Sequence, residues 1–172
     1  MNDTVSGNFG LLVAYLIPGS IALWGLSLFS PQLHDWFVAS PPNAPTIGGF
    51  LYLTLAALTA GMTVSALRWA LVDALHAWSG ITPPRLDFSK LGANVDAFNL
   101  LIEIHYRYFQ FHANAFVATL IAYACYRIHG GWAAPWTAFD LGIVAIEAVF
   151  FITSRDNLRK YYLRAAQLLG TL

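Results

Sequence analysis

The sequence predicts an all-α membrane protein: four transmembrane helices, both termini cytoplasmic, and helices 2–4 extended into the cytoplasm. Three observations carry this expectation. The 172 residues are 58% hydrophobic and only 10% charged, with a mean hydropathy of +0.57, whereas a soluble domain carries about 25% charged residues. The apolar residues come in runs of about 20, long enough at 1.5 Å per residue to cross a hydrocarbon core of about 30 Å. Finally, nearly all basic residues fall at one end of alternating spans.

The first apolar run, 9–29, has Pro18-Gly19 near its middle, where a helix kink is expected. The N-terminal Met1-Asn2-Asp3-Thr4 lacks the positive n-region of a cleavable signal, so this run reads as a retained span. The interval Ser30–Thr46 holds Pro31, Pro41, Pro42 and Pro45 and breaks the helical pattern. A proline-free helix comes next, from Ile47 to Trp78, then a loop opened by Ser79-Gly80-Ile81-Thr82-Pro83-Pro84. The third helix covers about 96–128 and ends at His129-Gly130-Gly131, as glycine caps end helices. The fourth starts near Trp136 and continues to Leu169.

Three of these helices exceed the bilayer, since thirty-odd residues make about 45–50 Å. The membrane portions are placed at 9–29, 47–70, 108–128 and 136–154, in one domain, with helical extensions over 68–78, 96–107 and 155–169. Arg68, Arg85, Lys90, Arg107 and the tail basics lie on the extended side, and only Arg127 lies opposite. The positive-inside rule makes the charged side cytoplasmic and puts Trp36, Trp132 and Trp136 at the outer interface. The expected location is a membrane that the chain crosses four times, with its charged side in the cytoplasm.

Several polar residues stand in apolar surroundings. On the third helix Asp96, Asn99, Glu103, Arg107, Gln110 and Asn114 recur every three or four residues and share one helical face. That stripe is either a solvated helix end whose deeper members tie helices together or the lining of a vestibule or pore. Glu147 is the one acid deep in a span, about 10 Å from the cytoplasmic edge. It requires a partner, a proton or water, and Asn114, His112 and Arg68 are the candidate partners. Asp140 lies seven residues earlier on the same face. His105 and His112 read as packing histidines, since their seven-residue spacing does not chelate a metal. Ala57, Gly61 and Ser65 supply a small-residue face for close helix packing. The tail is amphipathic, with Arg155, Arg159, Lys160 and Arg164 suited to lipid headgroups or a docked partner.

Exclusions narrow the function. Nine basic residues balance nine acidic ones, leaving no net charge to attract nucleic acid. The single Cys125 allows no internal disulfide and no cysteine-rich metal site. No P-loop, HExxH, GxSxG or dinucleotide fingerprint occurs, so no catalytic residue, metal or cofactor is expected.

Asn8-Phe9-Gly10 with Pro18-Gly19, the run Ser154-Arg155-Asp156-Asn157-Leu158-Arg159-Lys160-Tyr161-Tyr162, and Tyr106-Arg107-Tyr108-Phe109 resemble uncharacterised small four-span bacterial inner-membrane proteins. The resemblance implies topology and no activity. In size and layout the chain is also similar to small membrane effectors of bacterial antiviral defence. The leading expectation is a non-enzymatic homo-oligomer forming a pore or regulated membrane-permeabilising assembly. One alternative is an anchor or scaffold whose cytoplasmic helix ends dock a soluble protein. Another is a small proton- or ion-coupled transporter using Glu147 and the Pro18 break.

Overall fold

A computed structural model describes residues 3–37 and 47–171, with side chains from residue 10 onward except residue 11. Pro41, Pro42 and Pro45, and the Asn8 and Phe9 side chains, lie outside the described residues. The described residues include six α-helices: α1 (Asp3–Ser27), α2 (Pro31–Phe37), α3 (Ile47–Trp78), α4 (Val95–Leu101), α5 (Arg107–Gly130) and α6 (Ala138–Leu169). The fold is all-helical, and no β-strand occurs among the described residues. An isolated bridge joins Leu86 to Thr171, tying the loop after α3 to the end of α6.

The helix limits reflect local chemistry. Pro31 opens α2 at a first-turn position, where its missing N–H costs nothing, so part of the expected break is a short helix. The loop before α4 contains a 3₁₀ turn, Phe88–Ala93, capped by the Asp87 carboxylate on the Ser89 backbone N–H. α5 stops where Gly131 adopts a positive φ of +94°. Thr137 and Asp140 start α6 with reciprocal side-chain-to-backbone hydrogen bonds, which satisfy donors that a helix N-terminus otherwise leaves open.

Between α4 and α5 the chain winds as a π-helix over Ile102–Tyr106. The wider turn takes up an extra residue and rotates α5 about the helix axis relative to α4. The stripe expected on one face is therefore broken. Asp96 and Asn99 are exposed, while Asn114 is fully buried.

α5 is the central helix, packed against α1, α3 and α6, and α1 lies against both α3 and α5. The core joining them is built from small and β-branched residues, among them Ala22, Val64, Val72, Ala113, Val117 and Ala118, with Phe109 and Leu158 as larger members. Small residues allow backbones to meet. A Cβ at Gly19 would stand 1.7 Å from the Ala57 carbonyl oxygen, and one at Gly61 would stand 2.0 Å from that of Tyr15. Gly25 meets the Ala122 backbone in the same way.

The outer surface is unusually apolar. Among the described residues one helix, α3, is long and apolar enough to cross a membrane, and Leu12–Ser27 of α1 is a shorter apolar stretch. Along α3 the exposed residues include Phe50, Leu51, Leu55, Met62, Trp69 and Leu71, and α6 exposes Leu141, Val144, Val149 and Ile152.

The glycine contacts give a direct prediction. Gly19→Leu or Gly61→Leu will separate α1 from α3 and lower stability by about 3 kcal/mol or more. Gly142→Ala, whose added Cβ meets nothing within 4 Å, will be neutral or slightly stabilising. Thermal unfolding in mild detergent reads both.

Candidate functional site

Most of the buried polar residues are on α5 and α6, with Arg68 and His76 on α3. On α5, Asn114 has no exposed surface, and its Nδ2 donates to the Ala14 carbonyl oxygen of α1 at 3.0 Å. The reason lies four residues after Ala14. Pro18 has no N–H, so the carbonyl that residue 18 would normally engage is left open inside α1. Asn114 fills that vacancy from a neighbouring helix. Toward the α4 end, Gln110 is half-buried, and Glu103 is exposed and pairs with Arg107 at 3.7 Å. The Arg107 side chain passes beside Gly10 of α1. The deep end of the stripe thus binds helix to helix.

On α6, Asp140, Glu147 and Ser154 recur every seven residues and all three are buried. Asp140 accepts from the Thr137 N–H at 2.6 Å, the Thr137 hydroxyl at 2.7 Å, the Tyr123 hydroxyl at 2.8 Å and Arg127 Nη1 at 3.2 Å. Arg127 Nη2 also donates to the carbonyls of Trp132 and Ala134. This cluster fastens α5, the turn after it and α6 together. It is not among the sequence-based expectations, although Thr137-Ala138-Phe139-Asp140 is a capping-box spacing.

Ser154 donates to the Phe151 carbonyl at 2.9 Å, so its only proton is committed. The 3.0 Å contact to His76 Nε2 therefore has the imidazole N–H as donor and the serine oxygen as acceptor. A serine beside a histidine invites a nucleophile reading, but both side chains are completely buried and the proton runs the wrong way. The pair ties α3 to α6.

Glu147 differs from its neighbours. It is 8% exposed, and neither carboxylate oxygen has a hydrogen-bond partner among the described residues. The pairings expected for it do not form, because each partner is engaged elsewhere. Asn114 serves Ala14. Arg68 pairs with Asp73 at 2.7 Å and lies over the Phe109 ring at 5.1 Å. His112 is held by the Tyr108 carbonyl of its own helix at 2.7 Å. Beside this region, Ile21, Trp24, Tyr123, Ile143, Ile146 and Phe150 wall an apolar groove of about 360 Å³ between α1, α5 and α6.

At the far end of α6 the charges are exposed or paired locally. Lys160 pairs with Asp156 at 2.6 Å, Arg155 donates to Ser79, and Arg159 and Arg164 are exposed. His105, in the π segment, is buried beside the Asn157 side chain, and neither ring nitrogen is within hydrogen-bond geometry of a partner among the described residues. Burial first, then the charges of Arg164 and Lys160, hold its pKa below the usual histidine value. The Tyr161 ring packs at tilted angles against both Tyr106 and Phe98. Among the described residues no group of three His, Cys, Asp or Glu side chains could hold a metal.

Comparison with protein-family models, curated proteins and solved structures gives no match.

The contacts of Asn114 and the burial of His105 can each be tested. Asn114→Leu will cost about 1 kcal/mol by leaving the Ala14 carbonyl unpaired in the core. Gln110→Leu, at a half-buried position, will cost clearly less, and chemical unfolding in detergent distinguishes them. Because the folded state disfavours protonated His105, its contribution to stability is present above the ordinary histidine pKa of 6.5 and shrinks as pH falls through it. His105→Phe will flatten the melting-temperature change between neutral pH and about pH 5.

Proposed function

We propose that the chain is a non-enzymatic, multi-pass protein of a bacterial inner membrane that assembles with copies of itself to form a path for protons or small cations. Four spans, over 9–29, 47–70, 108–128 and 136–154, would give both termini a cytoplasmic position. The exposed apolar faces of α3 and α6 need a hydrocarbon solvent. Charge supports the orientation. Of the basic residues, only Arg127 lies at the end opposite the rest, and Asp140 neutralises it.

The observation that carries the conduction reading is the unpartnered Glu147 carboxylate. An ionised acid within a span costs about 2.5–3.5 kcal/mol. A site that keeps one there without a hydrogen bond needs a proton, a cation or water to satisfy it. The neighbouring polar groups on α6, Asp140 and Ser154, are fully used. Glu147 is the group left for traffic. The described helices share one core, which supports placing the path between copies. A regulated opening of such a path would also serve a membrane-permeabilising defence effector.

The platform alternative keeps less support. Among the aromatic and histidine residues of the extended helix ends, which a docked partner would meet, His76 and His105 are buried. Tyr106, Tyr161 and Tyr162 pack on the core, leaving Trp78 and Tyr108 exposed.

Reconstituted liposomes with an internal pH-sensitive dye test the proposal. Under a potassium diffusion potential, wild type will acidify or alkalinise the lumen according to the sign of the potential. Glu147→Gln, which keeps shape and removes the charge, will fold normally and lower that flux by about tenfold or more. A wild type without flux, or a Gln variant with unchanged flux, contradicts the proposal.

A further inference from the structure

At the end of α3 the chain turns through Ser79 and Gly80, which has a positive φ of +90°, and passes in front of α6. Between the two is a cleft of about 420 Å³ walled by Ile81, Thr82, Arg155, Arg159, Tyr162 and Leu163. The two arginines stand one turn apart on α6, a spacing at which like charges repel. Neither makes an ion pair among the described residues. The acids nearby are committed elsewhere, Asp156 to Lys160 at 2.6 Å and Asp73 to Arg68 at 2.7 Å.

Arg155 is positioned without being neutralised. Its Nε donates to Ser79 Oγ at 3.3 Å and its Nη2 to the Ser79 carbonyl at 3.1 Å. A guanidinium has five N–H donors in a planar fork, so three remain for a ligand. Arg159 is exposed and makes no hydrogen bond among the described residues, which leaves all five of its donors. The rest of the wall is mixed. Thr82 and Tyr162 bring hydroxyls, whereas Ile81 and Leu163 bring hydrocarbon. A small inorganic anion would use the arginines and leave the apolar wall wet. An amphiphile with a phosphate at one end uses both. Trp78, immediately before the turn, is 88% exposed, and tryptophans favour the headgroup level of a bilayer.

The geometry points to this cleft as a binding site for the phosphodiester headgroup of an anionic phospholipid. Arg155 and Arg159 take the phosphate oxygens, and the first part of an acyl chain lies on Leu163 and Ile81. The inference builds on the reading of α3 as a span, and it is independent of conduction through Glu147. Arg155 acts as the fixed donor because Ser79 holds it, and Arg159 closes on the phosphate from one turn away. The site has no need of Lys160, which Asp156 already neutralises.

Native mass spectrometry and thermal unfolding from phosphatidylcholine nanodiscs doped with phosphatidylglycerol test the site. Wild type will retain phosphatidylglycerol and melt higher as its fraction rises. Arg159→Gln, which breaks no contact within the protein, will weaken retention by about tenfold. Lys160→Gln will leave it unchanged. Equal losses in the two variants would overturn the site in favour of diffuse surface charge. Soluble glycerol phosphate added to protein in pure phosphatidylcholine will give no comparable protection, and equal protection would overturn the lipid assignment. Carbonate extraction checks the membrane reading separately. A chain that resists extraction yet shows no Arg159-dependent retention contradicts this site alone.

Discussion

The open carbonyl of Ala14 is the constraint on which most of the packing depends. Pro18 removes the N–H that would close it, and an unpaired carbonyl in an apolar interior is costly. α5 supplies the missing donor through Asn114, one hundred residues further along the chain. To deliver it, the two helices must approach closely there, and the small residues Ala113, Ala115 and Ala118 that flank Asn114 allow this. The next residue, Gly19, puts the α1 backbone against the Ala57 carbonyl of α3. Two successive residues of α1 therefore fix both of its neighbours, one by a hydrogen bond and one by the absence of a side chain.

With α1, α3 and α5 fixed in this way, α6 is attached differently. It leans on α5 and is fastened by side chains at its start and near its middle. At its start, Asp140 gathers Tyr123, Arg127 and Thr137. Past its middle, Ser154 meets His76, and Arg155 meets Ser79. Glu147 stands between the two fastenings with no bond of its own. The proposed path is placed at this unsatisfied acid between the two fastenings.

Much of the architecture is legible in the sequence because it depends on length and punctuation. The limits of α3 and α6 and the end of α5 are set by glycines and apolar runs and lie within a few residues of those expected. Pro18 is legible as an opened carbonyl, but not the residue that fills it, since a contact across one hundred positions leaves no local pattern. The stripe on the third helix fails for a definite reason. The π turn at Ile102–Tyr106 inserts a rotation that helical spacing cannot register, so residues counted onto one face belong to two. The Arg127–Asp140 cluster has a readable capping-box spacing, yet from the sequence Asp140 reads only as an acid on the Glu147 face, because its other partners come from the preceding helix.

A double-mutant cycle between Pro18→Ala and Asn114→Leu, read by reversible unfolding in detergent, is the decisive measurement. Alanine at position 18 restores the N–H that closes the Ala14 carbonyl within α1, so the Asn114 amide becomes dispensable. Asn114→Leu will then cost about 1 kcal/mol beside Pro18 and close to nothing beside alanine. Equal costs in the two backgrounds would show that Asn114 acts independently of the carbonyl opened by Pro18, and would contradict the dependence of the packing on that carbonyl.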